Sequence, residues 1–120
     1  MRRRVGLLSG GEQQMVGLAR ALARHPRVML VDEMSLGLAP RIVRRLMDVL
    51  RSSADEHGVG VILVEQHVPE ALRVADQVCV IAGGRMTLRG RVDDVRDRVA
   101  SAFLADVLGE DLGLEPGGNA

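Results

Sequence analysis

The chain has 120 residues, 47% of them hydrophobic and 27% charged, a composition typical of one soluble globular domain. Its formal net charge is zero, so overall charge gives no reason to expect nucleic acid or an anionic membrane as a partner. The single cysteine, Cys79, excludes an intramolecular disulfide, and its apolar neighbours predict a small buried side chain. Because no signal peptide and no membrane-spanning stretch is recognisable, the sequence predicts a cytoplasmic protein.

The first predicted element is a helix that starts at the glycine pair Gly10 and Gly11. Ser9 occupies the N-cap position, and Glu12 completes an S-x-x-E capping box. The glycines leave the first turn without side chains, so a ligand can approach its backbone N–H groups, and the helix dipole favours an anion such as phosphate there. Apolar residues recur at helical spacing to about Arg24, beyond which a proline ends the helix.

A continuous apolar run over residues 28–31 predicts a strand buried on both faces of a parallel sheet. The adjacent acids Asp32 and Glu33 follow it directly. Open α/β sheets bind ligands beyond the carboxyl ends of their strands, so this pair is a candidate site. Taken alone, such a pair is more often a solvated loop start or a helix cap than a catalytic pair.

A second apolar run, residues 59–64, predicts another buried strand, and three polar residues follow it. Glu65 and Gln66 are expected to be solvated. His67 is the candidate from this loop, although a lone histidine in that position is more often a residue at the entry to a helix than a catalytic one.

The remaining elements follow in chain order and complete the predicted layout. They are an amphipathic helix from Pro40 to about Gly58, a short helix from Pro69 to about Val74, a strand over 77–82, a turn at Gly83–Gly84, a return strand over 85–89, an amphipathic helix over 92–108 with a possible break near Val99, and a fraying tail over 109–120. This order predicts an α/β fold in which crossover helices connect parallel strands, followed by a β-hairpin and a C-terminal helical region.

Taken together, the motifs resemble those of ABC-type ATPases in order and spacing. The segment 8–14, LSGGEQQ, is similar to the ABC signature, and the strand ending in Asp32 is similar to the Walker B strand. Glu33 corresponds to the catalytic glutamate, residues 35–40 resemble the D-loop region, and His67 resembles the switch histidine. The wording LSGGEQQM, SLGLAP and VEQH is most similar to the ATPases of branched-chain amino acid importers. The fold that this implies is the C-terminal part of a P-loop NTPase (RecA-like) ABC domain.

The resemblance implies a role for each motif in ATP hydrolysis. Asp32 would hold Mg²⁺ through its water shell, Glu33 would polarise the attacking water as general base, and His67 would contact the γ-phosphate. The signature residues would bind the γ-phosphate of a nucleotide held by the opposite subunit of a head-to-tail dimer. These residues are Ser9, Gly10, Gly11 and Gln13. Membrane permease subunits are the other implied partners, with the ATPase lying on the inner face of the membrane.

Two features depart from the family pattern. Met34 stands where proline usually follows the catalytic glutamate, so the loop lacks a fixed φ angle. The printed sequence also contains no G-x-x-x-x-G-K-[ST] loop, whose backbone and lysine cradle the phosphates. We therefore expect residues 1–108 to be the C-terminal portion of an ABC ATP-binding domain, inactive towards ATP and poorly soluble as an isolated chain.

Two alternatives stay open at this point. The chain is a non-catalytic module that lends its signature motif in trans to an intact ABC ATPase, or it is a lobe of an SMC- or Rad50-type DNA-maintenance ATPase. The second of these classes is expected to show long heptad repeats and an excess of basic charge, and neither is visible.

Overall fold

The structure is a computed structural model that describes residues 8–108. The chain divides into two compact units, Met1–Val74 and Ala75–Ala120, which are described separately below. The predicted tail over 109–120 lies outside the described residues. Within the described range, no helix has both the length and the apolar content needed to cross a bilayer.

The first unit alternates helices with two parallel strands. Its elements in chain order are α1 (Gly10–Leu22), β1 (Val28–Asp32), α2 (Pro40–His57), β2 (Gly60–Val64) and α3 (Val68–Val74). The strands pair in register, from Val28 opposite Gly60 to Asp32 opposite Val64. Because β1 and β2 are parallel and α2 connects them, the predicted α/β arrangement is confirmed for this pair.

Helix α2 supplies four of the nine buried hydrophobic residues that form the core of the first unit. Pro40 fixes its first turn, and Gly58, in the left-handed region at φ 66°, ends it, as the sequence predicts. Its apolar face is fully buried at Val43, Leu46 and Met47. The other buried hydrophobic residues of this core are Leu18, Met29, Val31, Met34, Leu50 and Val59.

Only one face of the two-stranded sheet is buried, so the expectation for residues 28–31 is wrong. Met29 and Val31 point into the core, whereas Val28 and Leu30 are 61% and 75% exposed. Ile62, opposite Leu30 in β2, is also exposed. Alternate residues of a strand point to opposite faces, so an apolar run is buried on both sides only where both faces are covered.

The second unit contains an antiparallel hairpin and a helix. Strand β3 (Gln77–Ala82) pairs with β4 (Arg85–Arg91) through the turn at Gly83 and Gly84, whose positive φ angles of 55° and 73° suit glycine. Helix α4 runs without interruption from Val92 to Leu108, so the break near Val99 is not found. Cys79 is exposed, contrary to its predicted burial, because it lies on the outward-facing side of β3.

Candidate functional site

Helix α1 begins with the capping box that the sequence predicts. The Ser9 N–H donates to Glu12 Oε2 over 2.8 Å, and the Glu12 N–H donates to Ser9 Oγ over 3.3 Å. Gln13 folds its carboxamide back on the chain, with Nε2 donating to the Leu8 carbonyl oxygen over 3.0 Å. These bonds fix the helix start and the direction of its N-terminal end.

The two glycines of this first turn have different surroundings. Gly10 is exposed, and a Cβ built there meets only Leu38 Cδ2, 3.7 Å away. Gly11 is buried, and a Cβ built there lies 2.9 Å from Cγ2 of Ile42, in the first turn of α2. Helix packing therefore explains the glycine at position 11, whereas position 10 is exposed and has no close packing partner.

The carboxyl ends of β1 and β2 bring together two loops that are distant in sequence. The Glu33 N–H donates to the Val64 carbonyl oxygen over 2.9 Å, which extends the parallel ladder by one residue beyond Asp32. Gln66 Nε2 donates to Glu33 Oε1 over 2.6 Å. Because an ionised carboxylate only accepts hydrogen bonds, the amide group of Gln66 is the end that faces Glu33. Gln66 is exposed, but its carboxamide is hydrogen-bonded to a protein partner rather than simply solvated.

Glu65 is not solvated, contrary to the sequence prediction. Its side chain is 1% exposed and accepts two hydrogen bonds from Ser35, one from the backbone N–H over 3.1 Å and one from Oγ. His67 Nδ1 lies 2.8 Å from Ser35 Oγ and 3.9 Å from Glu65 Oε2. Ser35 is itself 1% exposed. We call these three residues, Ser35, Glu65 and His67, the strand-end clamp.

The strand-end clamp has the residue types of a hydrolase triad without its geometry. In a nucleophilic triad the histidine lies between the serine and the acid, whereas here Ser35 lies between Glu65 and His67 and is buried. Since ionised Glu65 only accepts, the Ser35 hydroxyl donates to it, and Nδ1–H of His67 then donates to Ser35 Oγ. The clamp is therefore a fixed link between the two loops, and Nε2 of neutral His67 is an acceptor.

The backbone of Glu33 lies in the left-handed region, at φ 44°. This conformation costs a non-glycine residue about 1–2 kcal/mol and persists where neighbouring contacts hold it. Such contacts are present on both sides, since the Glu33 N–H donates to the Val64 carbonyl oxygen over 2.9 Å and the Leu36 N–H donates to the Glu33 carbonyl oxygen over 3.2 Å. The acid side chain is thus directed by the loop around it.

The predicted site residues fall into two groups in the structure. Asp32, Glu33 and His67 lie together at the carboxyl end of the β1–β2 pair. Ser9, Gly10, Gly11 and Gln13 lie at the start of α1, next to the first turn of α2. Sequence reasoning missed Glu65 and Gln66, although their position directly after a strand was an available signal, and it included Ser35 only as part of the D-loop region.

The chemistry of the acid pair suits a hydrated magnesium ion. Asp32 is exposed beyond the last core residue of β1, so its carboxylate is accessible to an ion that keeps most of its water shell. Across the described residues, no three histidine, cysteine or acidic side chains converge as a metal-binding group. A few carboxylate oxygens with phosphate and water as the other ligands are the usual donor set for magnesium at nucleotide sites.

Sequence comparison relates the chain to ATP-binding proteins of importers. The ABC transporter family model matches residues 1–35. The high-affinity branched-chain amino acid transport ATP-binding protein BraG of Pseudomonas aeruginosa is 45% identical over 85 residues, which cover 71% of this chain and 36% of BraG. The methionine import ATP-binding protein MetN 1 of Burkholderia orbicola is 37% identical over 109 residues, covering 88% of this chain and 32% of that protein.

Structure comparison gives the same family. The ADP conformation of MJ1267, an ATP-binding cassette of an ABC transporter, matches with a TM-score of 0.74 and 26% identity over 90% of this chain and 43% of that one. A dimeric post-hydrolysis state of the cassette MJ0796, bound to ADP and Pi, matches with a TM-score of 0.64 and 29% identity over 72% of this chain and 37% of that one. The chain thus spans between 32% and 43% of the length of these relatives. Sequence and fold agree that the chain belongs to the ATP-binding domain family of ABC transporters.

Proposed function

We propose that the chain supplies the catalytic acid pair and the signature helix of an ATP-hydrolysing subunit of an ABC importer. The observation that carries this proposal is the meeting of Asp32 and Glu33 with the loop of Gln66 and His67 at one end of the β1–β2 pair. Carboxyl ends of parallel strands are where α/β folds bind nucleotides. The isolated chain lacks a phosphate-binding loop within its printed sequence, so we propose that it does not hydrolyse ATP alone.

The residues at this end of the sheet suit distinct tasks in phosphoryl transfer. When bound, ATP supplies the transferable phosphoryl group and Mg²⁺ neutralises its developing charge. Asp32 holds the ion through water, and Glu33 orients the attacking water and accepts its proton. His67 lies beside them, half-exposed, and the clamp leaves its Nε2 available. In the neutral ring this nitrogen accepts a hydrogen bond from the attacking water, and in the protonated ring it donates one to a γ-phosphate oxygen.

The start of α1 is proposed to act on a second subunit. The N–H groups of Gly10 and Gly11 have no acceptor within the helix, and Gly10 is open to solvent. A phosphate group of a nucleotide held by another ATPase subunit fits such a helix start. The dimeric form of the related cassette MJ0796 supports a dimer, and membrane permease subunits complete the proposed assembly on the inner membrane face.

Branched-chain amino acids are the proposed substrate class of the whole importer. The identity to BraG, 45%, supports this class over methionine, for which MetN 1 has 37% identity over a longer match. Permease and solute-binding subunits select the substrate in such systems, so this choice is tested in transport and not on the ATPase alone. The relatives named above are ATP-binding proteins of transport systems or ATP-binding cassettes, and they give no support to a DNA-maintenance role.

A chimaera tests the proposed ATPase role. The chain is joined to the preceding part of BraG, and ATP hydrolysis is measured with Mg²⁺. We expect the chimaera to hydrolyse ATP. Glu33→Gln should lower the rate of hydrolysis at least about a hundredfold, because a general base contributes about 10²–10⁴-fold. The control Glu56→Gln, at an exposed acid, should change the rate little. A chimaera that binds ATP but hydrolyses it equally well with Glu33→Gln would refute the role of the acid.

A second candidate function is to lend the signature helix in trans without hydrolysis. The complete capping box within the described chain favours it, because the helix start is formed without help from another subunit. Mixing the chain with intact BraG would then stimulate ATP hydrolysis, and Ser9→Arg would abolish the stimulation. Glu12→Ala is the matched control, since it also breaks the capping box but adds no bulk at the helix start.

A further inference from the structure

We infer that Gln66 is a positioning residue that orients the carboxylate of Glu33. The inference rests on the proposed role of Glu33 as the group that orients the attacking water. Gln66 Nε2 lies 2.6 Å from Glu33 Oε1, although the two residues are 33 positions apart in the sequence. A hydrogen bond to an ionised acceptor is among the stronger ones in proteins, so this contact selects one orientation of the acid.

His67, the neighbouring residue, does not make this contact. Its Nδ1 is 2.8 Å from Ser35 Oγ, and the direction of the clamp makes that nitrogen the donor. The remaining nitrogen of neutral His67 is an acceptor, which cannot donate to a carboxylate. Gln66 carries two N–H groups, so it can donate one to Glu33 and offer the other to an oxygen of a bound ligand.

The strand-end clamp gives Gln66 a firm anchor. Gln66 follows directly on Glu65, whose carboxylate is 1% exposed and hydrogen-bonded to Ser35. On the other side, Glu33 lies two residues before Ser35 and has a left-handed backbone. The same pair of loops is therefore joined twice, once through the clamp at its buried side and once through Gln66 at its exposed side. Only the second of these links touches the proposed catalytic acid.

Side-chain amide NMR on the full chain without nucleotide tests the contact. The sequence has five carboxamides, Gln13, Gln14, Gln66, Gln77 and Asn119, so the spectrum is simple. Gln66→Leu identifies the Gln66 signal by its loss. We expect that signal to exchange with solvent about tenfold more slowly than the Gln14 signal, and Glu33→Ala to remove the difference. Glu56→Gln, a change at an exposed acid, is expected to leave the Gln66 signal in place.

The Glu33 carboxyl carbon gives a second readout that a merely structural role would not move. We expect its ¹³C resonance to shift in Gln66→Leu, to return towards the wild-type position in Gln66→His, which keeps an N–H donor, and to stay unchanged in Gln14→Leu. If Gln66→Leu does not fold, Gln66→His identifies the Gln66 signal by its loss, and the exchange rates in the wild-type chain then decide the question. Equal exchange of the Gln66 and Gln14 amides would overturn the inference. Because no ATP is present, that result leaves the chimaera test of Glu33 independent.

Discussion

Removing the Ser35 hydroxyl is the sharpest test of the strand-end clamp. The hydroxyl is buried and contacts both Glu65 and His67, so Ser35→Ala deletes two hydrogen bonds and leaves the buried Glu65 carboxylate with only the Ser35 backbone N–H as a partner from this loop. A hydrogen bond to a charged group contributes about 1.5–3 kcal/mol and a neutral one about 0.5–1.5 kcal/mol. We expect Ser35→Ala to lower the free energy of unfolding by about 2–4 kcal/mol.

The assay is urea unfolding followed by far-UV circular dichroism, because the chain has no Trp or Tyr for fluorescence. Ser52→Ala is the control: Ser52 is exposed on α2, so the free energy of unfolding is expected to change by less than about 0.5 kcal/mol. The loss predicted for Ser35→Ala is a large part of the about 5–15 kcal/mol that stabilises a typical domain.

A double variant separates the clamp from other effects of Ser35. Replacing both partners of a buried hydrogen bond by apolar groups is far less costly than replacing one. The double variant Ser35→Ala, Glu65→Leu should therefore lose less free energy of unfolding than the two single variants lose together, by at least about 1 kcal/mol. Strict additivity, or a Ser35→Ala protein as stable as wild type, would refute the clamp.

Three further outcomes are expected. Gly17 lies on α1, where an added Cβ meets nothing within 4 Å, so Gly17→Ala should raise the free energy of unfolding in urea by about 1 kcal/mol. Gly11→Ala should give no such gain, because its added Cβ lies 2.9 Å from Ile42. Hydrogen bonds from two arginines hold the pKa of Glu70 below its ordinary value of 4.5. Glu70→Gln should therefore lower the free energy of unfolding by about 1 kcal/mol at pH 7, and this difference should vanish as the pH falls below about 4.5. A difference that stays constant with pH in urea unfolding would contradict this. Leu30→Thr, on the exposed sheet face, should raise the soluble fraction measured after centrifugation, and no change would argue against that face as the cause of aggregation.

The sign of the pH effect follows from the direction of the shift. The hydrogen bond from Arg44 is the largest cause of the lowered pKa of Glu70, and the bond from Arg73 acts in the same direction. A carboxyl group with a lowered folded-state pKa binds its proton more readily in the unfolded chain, so its contribution is complete above the unfolded value and is lost on acidification. Arg44 is largely exposed, which keeps the expected size small.

Local signals in the sequence predicted those parts of the fold that depend on neighbouring residues. The capping box at Ser9, proline at the first turn of α2 and the glycine pair of the hairpin each specify a backbone geometry within a few residues, and the structure contains all three. Strand burial was less predictable, because the apolar run over residues 28–31 does not reveal which of its faces is covered.

The strand-end clamp was beyond such reasoning because it joins residues 30 or more positions apart. Glu65 reads as a polar residue at a strand end, and only the parallel pairing of β1 with β2 brings it next to Ser35. The sequence predicted that Glu33 and His67 lie at the same end of the sheet. The side chain that contacts Glu33, however, is that of Gln66, the residue before His67.

The backbone of Glu33 explains why methionine can stand at position 34, where the family pattern has proline. A proline at position 34 would drive the residue before it towards extended φ angles near about −120°, whereas Glu33 has φ 44°. Methionine permits this left-handed backbone at Glu33. The side chain of Met34 is buried in the core, so packing anchors the loop in place of a proline ring that would fix the φ angle. The direction of the acid then depends on its hydrogen bonds. The hydrogen bonds from Gln66 to Glu33 and from the Ser35 N–H to Glu65 therefore restrict the loop, as the ring of a proline would restrict its φ angle.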